Sequence, residues 1–311
     1  MVDIRDLKSL AHLNGRVGSS PTPGTMIEIY NYHMPDGYVP RELWEDYRYE
    51  RIIPYLSLGF GEIMYIPSEP HAIRVGLWPF YTYIFEGSQE PDISLLKRKI
   101  QTTCQWRRFD LHDTTPPNWN ERSITPRAAT GFCSIRKDTP HYSAWSYDTR
   151  TRYRNRWINL EKSCVYRIES VGHTTYINAF LLSDTAHRIG RYERKAVQTK
   201  LSCAFIDIRY NIIRRCKDNK IVAGMATSFS PKYKNSFYES GFRYDEVGKD
   251  PVMIGLMDNW FKTAQNEQVL FLQMGTFWQP GDSEKWKGYS SFKMKFGTKI
   301  LHLPPILYRH I

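Results

Sequence analysis

The sequence predicts a mixed α/β (α+β) protein of two domains, each built on a mixed central sheet flanked by helices. The chain has 311 residues, which is enough for two domains of ordinary size. Its second half alternates three strands, a helix and two further strands by apolar periodicity. Hydrophobic residues make up 41% and charged residues 24%, which is typical of a globular protein.

Residues 1–25 differ in composition from the rest of the chain. The stretch 17–25 is small, polar and rich in proline and glycine, and it has no apolar period. Such a stretch predicts disorder, because it has too little apolar surface to bury. It also resembles a translation of the 3′ arm of a tRNA gene, which suggests the hypothesis that the native chain starts at Met26. The alternative is an ordinary flexible tail after Met1.

The first predicted domain spans residues 26–145. Its predicted strands are Ile27–Tyr30, Gly61–Ile66, Gly76–Phe85 and Cys104–Leu111. Helices are predicted after Pro40, where acidic residues follow the proline, and at Ile93–Ile100. The proline-rich stretch 113–127 predicts a loop. Since the two halves of the chain show no self-similarity, only the change of pattern places the boundary near residue 145.

The second predicted domain spans residues 146–311. It begins with a basic helix at 149–162, followed by a helical stretch, Ile177–Leu201, that Gly190 interrupts. A further helix is predicted at Pro251–Phe261. The predicted strands are Ile206–Arg214, Ile221–Phe229, Asn235–Phe242, Val269–Gly275 and Thr298–Leu303. The first two of these strands pair about a turn at 217–220.

The charge of the chain points to anionic partners. The net charge is +11 and the pI is about 9.3, which favours tRNA, coenzyme A or an anionic membrane face. No apolar run approaches the roughly 20 residues needed to span a bilayer, and the N-terminus lacks the apolar region of a secretory signal. We expect a cytoplasmic protein, either free or peripheral to the inner membrane face.

Several kinds of site are not indicated by the sequence. The five cysteines are scattered and form no C-x-x-C pair, which favours reduced thiols over a disulfide framework. The nine histidines show no H-x-x-x-H or H-E-x-x-H spacing, so no metal site is expected. Neither a G-x-S-x-G nor a Walker A motif occurs.

The most specific pattern lies near the C-terminus. There, the apolar strand Val269–Gly275 is followed by a loop that ends in Phe292-Lys293-Met294-Lys295-Phe296-Gly297 and then by a closing strand. Four upstream stretches accompany it in a fixed order, namely Arg150–Lys162, Phe180–Gly190, Asn219–Gly224 and Tyr244–Pro251. In order and spacing these stretches resemble the C-terminal half of the Fem-type (FemABX) peptidyltransferases.

This resemblance implies a fold and an activity. The fold would be tandem GNAT-like acyltransferase domains. The activity would be transfer of an amino acid from aminoacyl-tRNA to an amine acceptor, such as a lipid-linked precursor of peptidoglycan. The family implies that Lys293 stabilises the oxyanion of the tetrahedral intermediate, and Phe292 would form a wall of the site. The alternative for Lys293 is a solvated surface lysine, with Phe292 in the core.

One departure from the pattern bears on the donor. A GNAT pyrophosphate loop presents several glycine or alanine amides at a helix start, whereas here Gly248 stands alone before Lys249, Asp250 and Pro251. Two alternatives to the aminoacyl-tRNA reaction stay open. One is acyl-CoA-dependent N-acylation of a sugar or metabolite, and the other is a non-catalytic RNA-binding module. No cofactor is expected apart from acyl-CoA in the first alternative.

Donor-binding candidates follow from the same stretches. Arg188 and Tyr192 share a helix face if the helix continues through Gly190, and they would then hold a phosphate or the tRNA 3′ end. The alternative is an arginine stacked on a surface tyrosine. Tyr238 would reach the donor adenine or belong to the core. The remaining donor-binding candidates are Gly248 and Lys249.

A candidate nucleic-acid surface lies on the basic helix. Its arginines are Arg150, Arg152, Arg154 and Arg156, with Tyr153 and Trp157 between and after them. Charges at every second residue spread around about half of a helix's circumference, and with aromatic side chains they suit an RNA backbone. The alternative is a solvated helix between the two domains.

Overall fold

The computed structural model describes residues 64–66, 69–75, 80–87, 90–95, 101–108, 116–121, 129–202, 207–230, 234–280, 284, 287–302 and 306–311. The predicted leader 1–25, the strand Ile27–Tyr30 and the helix after Pro40 lie outside these residues. Cys203 does too.

Within the described residues the strands form two mixed sheets, which confirms the predicted fold class. The strands of the first sheet are β1 (Met64–Ile66), β2 (Glu69–Val75), β3 (Phe80–Gly87), β4 (Gln101–Arg108), β5 (Asn120–Glu121) and β13 (Ile306–His310). Those of the second sheet are β6 (Ala129–Ser134), β7 (Tyr166–Val171), β8 (Ile208–Arg215), β9 (Lys220–Ser230), β10 (Asn235–Arg243), β11 (Phe271–Phe277) and β12 (Lys299–His302). The strand orders are β1-β2-β3-β4-β13-β5 and β12-β6-β11-β10-β9-β8-β7.

Helices flank the second sheet. They are α1 (Tyr147–Arg152), α2 (Ile158–Lys162), α3 (His173–Leu181), α4 (Asp184–Arg188), α5 (Arg191–Leu201), α6 (Val252–Asn266) and α7 (Lys287–Met294). A π-helical turn at Tyr153–Trp157 joins α1 to α2, so the predicted basic helix is continuous over 147–162. Single 3-10 turns occur at Ile93–Leu95 and Asp245–Val247.

The second sheet separates two apolar cores. Successive strand residues point to opposite faces, and Ile212 and Ile213 accordingly belong to different clusters. The larger cluster holds Met257, Trp260 and Phe261 of α6. The smaller one holds the apolar residues of α3, among them Tyr176. Both faces of the sheet are therefore covered by helices.

The two sheets do not divide the chain at residue 145. β6 precedes that position yet pairs with β11 and β12 of the second sheet. β13 ends the chain yet pairs with β4 and β5 of the first sheet. The predicted domain boundary stays a prediction. Each sheet contains one described strand from the other side of that boundary.

Most elements of the second half match their predicted positions, with a few differences. The hairpin of β8 and β9 has its turn at 216–219, where Asn219 takes a φ of 57°. β7 was not predicted, and neither was β2 in the first sheet. The segment before Gly297, predicted as a loop, contains α7. Finally, β12 is not the last strand, because β13 follows it.

A buried carboxylate ties the loop before α1 to α6. Asp258 Oδ1 lies 2.5 Å from His141 Nε2, and its Oδ2 accepts a 2.7 Å hydrogen bond from Lys262. The carboxylate of Asp258 is 2% exposed. Burial alone would raise the pKa of Asp258, but hydrogen bonds from His141, Lys262 and Tyr153 outweigh it and hold the pKa below its ordinary value.

Replacing this carboxylate should change how stability depends on pH. A lowered folded-state pKa stabilises the fold above the unfolded pKa of about 3.9, and this stabilisation is lost as pH falls through the folded pKa. We expect Asp258→Asn to lower the free energy of unfolding at pH 7 and the deficit to shrink below about pH 4. Urea denaturation at several pH values measures both effects. Asp138→Asn, which removes an exposed carboxylate of the same loop, should leave both unchanged, and a deficit for Asp258→Asn that grew in acid would contradict the assignment.

Candidate active site where two strands part

The parallel ladder in the second sheet is short. β10 and β11 pair only from Asn235–Phe237 to Phe271–Gln273 among the described residues. Just beyond this ladder, β10 shifts register against β9 between Tyr238 and Ser240. β11 shifts against β6 between Gln273 and Thr276. Both strands are therefore irregular where they part, and β-bulges are frequent beside active sites.

Gly275 lies on β11 at this position with a φ of +68°. A side chain would be strained in that conformation. A Cβ built there would lie 3.6 Å from Lys293 Nζ and 3.8 Å from the carbonyl oxygen of Tyr238. The amine of Lys293 and the carbonyl of Tyr238 thus both flank Gly275.

Lys293 is the residue that α7 directs to this point. It is 3% exposed, and its Nζ donates a 3.3 Å hydrogen bond to the Thr276 carbonyl. The Nζ lies 4.1 Å from the ring centroid of Tyr289, 5.2 Å from that of Tyr238 and 5.5 Å from that of Phe277. Aromatic faces attract a cation, most strongly where water is excluded. The amine of Lys293 is therefore buried among aromatic rings, and the alternative of a solvated surface lysine is wrong.

Phe292, the residue before Lys293, packs against the larger core. It is half-buried and packs edge-on against Phe296 at 5.0 Å between ring centroids, and Phe296 in turn contacts Trp145 at 5.0 Å. Gly297 ends the motif with a φ of +75°, and a Cβ there would lie 2.7 Å from Ala144. The two phenylalanines and the glycine thus anchor α7 to the core. The predicted role of Phe292 as a wall of the site stays a prediction.

The helix does not continue through Gly190, so Arg188 and Tyr192 do not share a helix face, and their role in binding a donor stays a prediction. α4 ends at Arg188, Ile189 is extended with a ψ of 153°, and α5 begins at Arg191. The amide of Gly190 donates to the Glu193 carboxylate instead of continuing the helix. The guanidinium of Arg188 pairs with Asp245. The side chain of Tyr192 lies outside the described structure.

The loop before α6 is held by a carboxylate. Gly248 has a φ of 56° and is exposed, and a Cβ there would meet nothing within 4 Å. Asp250 accepts hydrogen bonds of 2.8 Å from both Arg156 and Tyr166. Lys249 is exposed, and its carbonyl oxygen lies 3.4 Å from Arg152 Nη2. The carboxylate at the start of α6 is therefore paired with a guanidinium of the basic helix.

The arginines of the basic helix contact their own protein. In addition to Arg152 and Arg156, Arg150 Nη1 donates to the Ser143 carbonyl at 3.4 Å. The guanidinium of Arg154 lies 5.1 Å from the ring centroid of Tyr142. Arg152, Arg154 and Arg156 nevertheless remain exposed. The helix thus retains charge at its surface, and its role in binding nucleic acid stays a prediction.

Sequence patterns did not single out Tyr289, Thr276 or Gly275, which surround Lys293. A glycine within an apolar strand can signal a bulge or a close approach, so Gly275 carried a usable signal. No comparable signal marks Tyr289, because one tyrosine among 21 in the chain is not distinctive.

Within the described part of the chain, no group of three or more His, Cys, Asp and Glu side chains is arranged to hold a metal ion. Among the helices of the same residues, none combines the length and apolar character needed to cross a membrane.

No family model matches the chain, and no curated protein matches it significantly. Solved structures do share its fold. FemX aligns with a TM-score of 0.55 at 10% identity, over 80% of this chain and 87% of FemX. L-PGS from Bacillus licheniformis aligns with a TM-score of 0.53 at 12% identity, over 89% of this chain and 94% of that one. A conserved protein of unknown function from Bacteroides thetaiotaomicron aligns with a TM-score of 0.54 at 11% identity, over 95% and 99% of the two chains. These likenesses concern the fold, and for the fold they confirm the predicted resemblance to the Fem-type transferases.

Proposed function

We propose that this protein is an acyltransferase that moves an amino acid from aminoacyl-tRNA to an amine acceptor. The observation that carries the proposal is the position of Lys293, which is 3% exposed and lies beside Gly275 where β10 and β11 part. This lysine is buried among aromatic rings at an irregular position of the sheet, where lysines are rarely found. The fold shared with FemX supports this chemistry, although a fold alone does not determine a function.

The proposed step is aminolysis of an ester. The acceptor nitrogen attacks the ester carbonyl carbon, a C–N bond forms, and the carbonyl oxygen becomes an oxyanion. The C–O bond to the tRNA ribose then breaks, and the ribose oxygen takes up the proton that the amine releases. Lys293 Nζ would donate a hydrogen bond to the oxyanion. In a site that excludes water, such a donor is typically worth about 3 kcal/mol at the transition state.

The start of α6 favours aminoacyl-tRNA over acyl-CoA as the donor. A helix N-terminus binds pyrophosphate through free amides and its positive dipole end. Here Pro251 precedes the first turn and offers no N–H. The Arg156 guanidinium beside this turn is already paired with the Asp250 carboxylate, so a pyrophosphate would have to compete with Asp250 for it.

The net charge of +11 also suits a polyanionic donor. The acceptor is proposed by resemblance to be an amine such as that of a lipid-linked cell-wall precursor. Membrane contact would then be peripheral and electrostatic.

The donor is tested by binding. We expect the full chain to bind aminoacyl-tRNA more tightly than the same tRNA after deacylation, because only the aminoacylated form places an ester beside Lys293. The affinity for both forms should fall steeply with salt, since phosphate contacts release counterions. Fluorescence anisotropy with labelled tRNA at three or more salt concentrations measures both effects.

Deacylated tRNA is the matched control, since it differs only by the aminoacyl group. Equal affinity for the two forms would contradict the donor assignment and favour a non-catalytic RNA-binding module. Absence of binding even at low salt would remove tRNA altogether, and an acyl-CoA screen would follow.

A further inference from the structure

Glu239 is the extra residue of the β10 register shift. Tyr238 pairs with Thr227 of β9 and Ser240 with Ala226, so Glu239 has no opposite residue on that strand. A bulge of this kind bends its strand and redirects neighbouring side chains. Here it comes one residue after Tyr238, whose carbonyl oxygen flanks Gly275.

The side chain of Glu239 is completely buried. It is 0% exposed. Ser228 Oγ donates a 2.5 Å hydrogen bond to its Oε1. A buried carboxylate is costly unless it is paired and hydrogen-bonded, so this position requires a partner.

Lys200 of α5 supplies that partner. Its side chain is 3% exposed, and its Nζ forms an ion pair with the Glu239 carboxylate. The same Nζ donates a 2.8 Å hydrogen bond to the backbone carbonyl of Glu239. One ammonium group therefore holds both the side chain and the main chain of the bulged residue, which fixes the bulge at this point of the strand.

We propose that Lys200 and Glu239 are positioning residues for the site at Lys293. By fixing the bulge, they set where β10 leaves β11 and therefore where the ring and carbonyl of Tyr238 stand relative to Lys293 Nζ. Neither residue touches the reacting atoms. The role in transfer rests on the proposed function, whereas the positioning of Tyr238 and Lys293 does not.

The test removes the ion pair without leaving a buried charge. Lys200→Met combined with Glu239→Gln keeps side-chain volumes and leaves Ser228 an acceptor, so the variant should fold. The matched control, Lys262→Met with Asp258→Asn, also removes a carboxylate–ammonium contact, but on α6. The two double variants and the wild-type protein are compared under conditions in which denaturation curves show that all three are folded.

The first measurement is independent of any donor. Competitive acetylation with acetic anhydride, followed by peptide mass spectrometry, gives the reactivity of the Lys293 amine. We expect the reactivity of the Lys293 amine to be at least about threefold higher in the Lys200/Glu239 double variant, because this amine owes its protection to its aromatic surroundings. The reactivity of exposed Lys295 should not change. An unchanged reactivity, or an equal rise in the control variant, would overturn the positioning role.

The second measurement is the split between kcat and KM for aminoacyl transfer. The double variant should lose at least about tenfold in kcat with KM within twofold, because geometry at the reacting centre changes while donor contacts stay. Unchanged kcat, or a loss confined to KM, would overturn the role in transfer. If the wild-type protein transfers from neither aminoacyl-tRNA nor acyl-CoA, the proposed function fails, and the acetylation result still decides whether the pair positions Lys293.

Discussion

Lys293→Met should reduce the rate of aminoacyl transfer at least about 100-fold while the protein stays folded. Removing one donor to an oxyanion typically costs a factor of 10² to 10³ in kcat, or about 3 kcal/mol. Methionine keeps the apolar stem of Lys293 among Tyr238, Phe277 and Tyr289 and removes only the charged donor. Single-turnover transfer from labelled aminoacyl-tRNA measures the rate.

Lys295→Met is the matched control. Lys295 lies two residues further along and is exposed, so its loss changes the net charge equally and leaves the site intact. We expect transfer by this variant within about twofold of wild type. Equal losses of transfer rate in the two variants would mean that the net charge of the protein, and not the buried amine of Lys293, determines the rate. Unchanged transfer by Lys293→Met would contradict the oxyanion role, whereas unchanged binding of deacylated tRNA by this variant is expected.

Periodic residues explain why most of the second sheet could be predicted from the sequence. β9 and β11 contain apolar runs, and β8 and β10 carry apolar residues among polar ones. Strands of both kinds, bounded by polar turns, are recognisable without tertiary information. β7 was missed because its sequence, Tyr-Arg-Ile-Glu-Ser-Val, offers only a weak apolar face. Its place at the sheet edge beside β8 depends on pairing, which a local pattern does not encode.

The candidate site was harder to predict for a physical reason. Lys293 was singled out only through the family resemblance, because composition alone places a lysine at the surface. Its burial depends on β10, β11 and α7 meeting, and these are distant in sequence. The bulge at Glu239 likewise has no periodic signal, since a register shift is a property of a strand pair.

The helix break at Gly190 shows the limit of a glycine signal. The sequence marks Gly190 as an interruption, yet it does not say whether a helix bends or ends there. The structure ends α4 at Arg188 and begins α5 at Arg191, with Glu193 accepting from the Gly190 amide as a local cap. The predicted pairing of Arg188 with Tyr192 depended on that unresolved choice.

The basic helix crosses α6 at Gly255, and the two helices pack closely there. Trp157, which is 0% exposed, ends the π-helical turn and lies directly against Gly255 of α6. A π-turn adds a residue to the helix and rotates the following side chains. Here both ends of the turn, Tyr153 and Trp157, are buried, so the turn lets the helix insert the large indole where α6 has no side chain.

Gly255→Ala should therefore lower the free energy of unfolding by about 1 to 2 kcal/mol. The added Cβ would lie 2.2 Å from Trp157 Cζ2, far inside van der Waals contact. Overpacking a core usually costs about 1 to 3 kcal/mol, and the rigid buried ring has little room to move. This loss exceeds the gain of about 1 kcal/mol that alanine normally brings over glycine in a helix. Urea denaturation followed by far-ultraviolet circular dichroism measures the difference.

Gly288→Ala makes the same chemical change in α7, where an added Cβ meets nothing within 4 Å. With no clash to oppose it, helix propensity should leave stability unchanged or raise it slightly. The opposite signs expected for the two substitutions separate packing from propensity, since both replace a helical glycine by alanine. If Gly255→Ala proved as stable as wild type, α6 and the basic helix would have to be able to move apart without cost, and the π-turn would not be fitted to this contact.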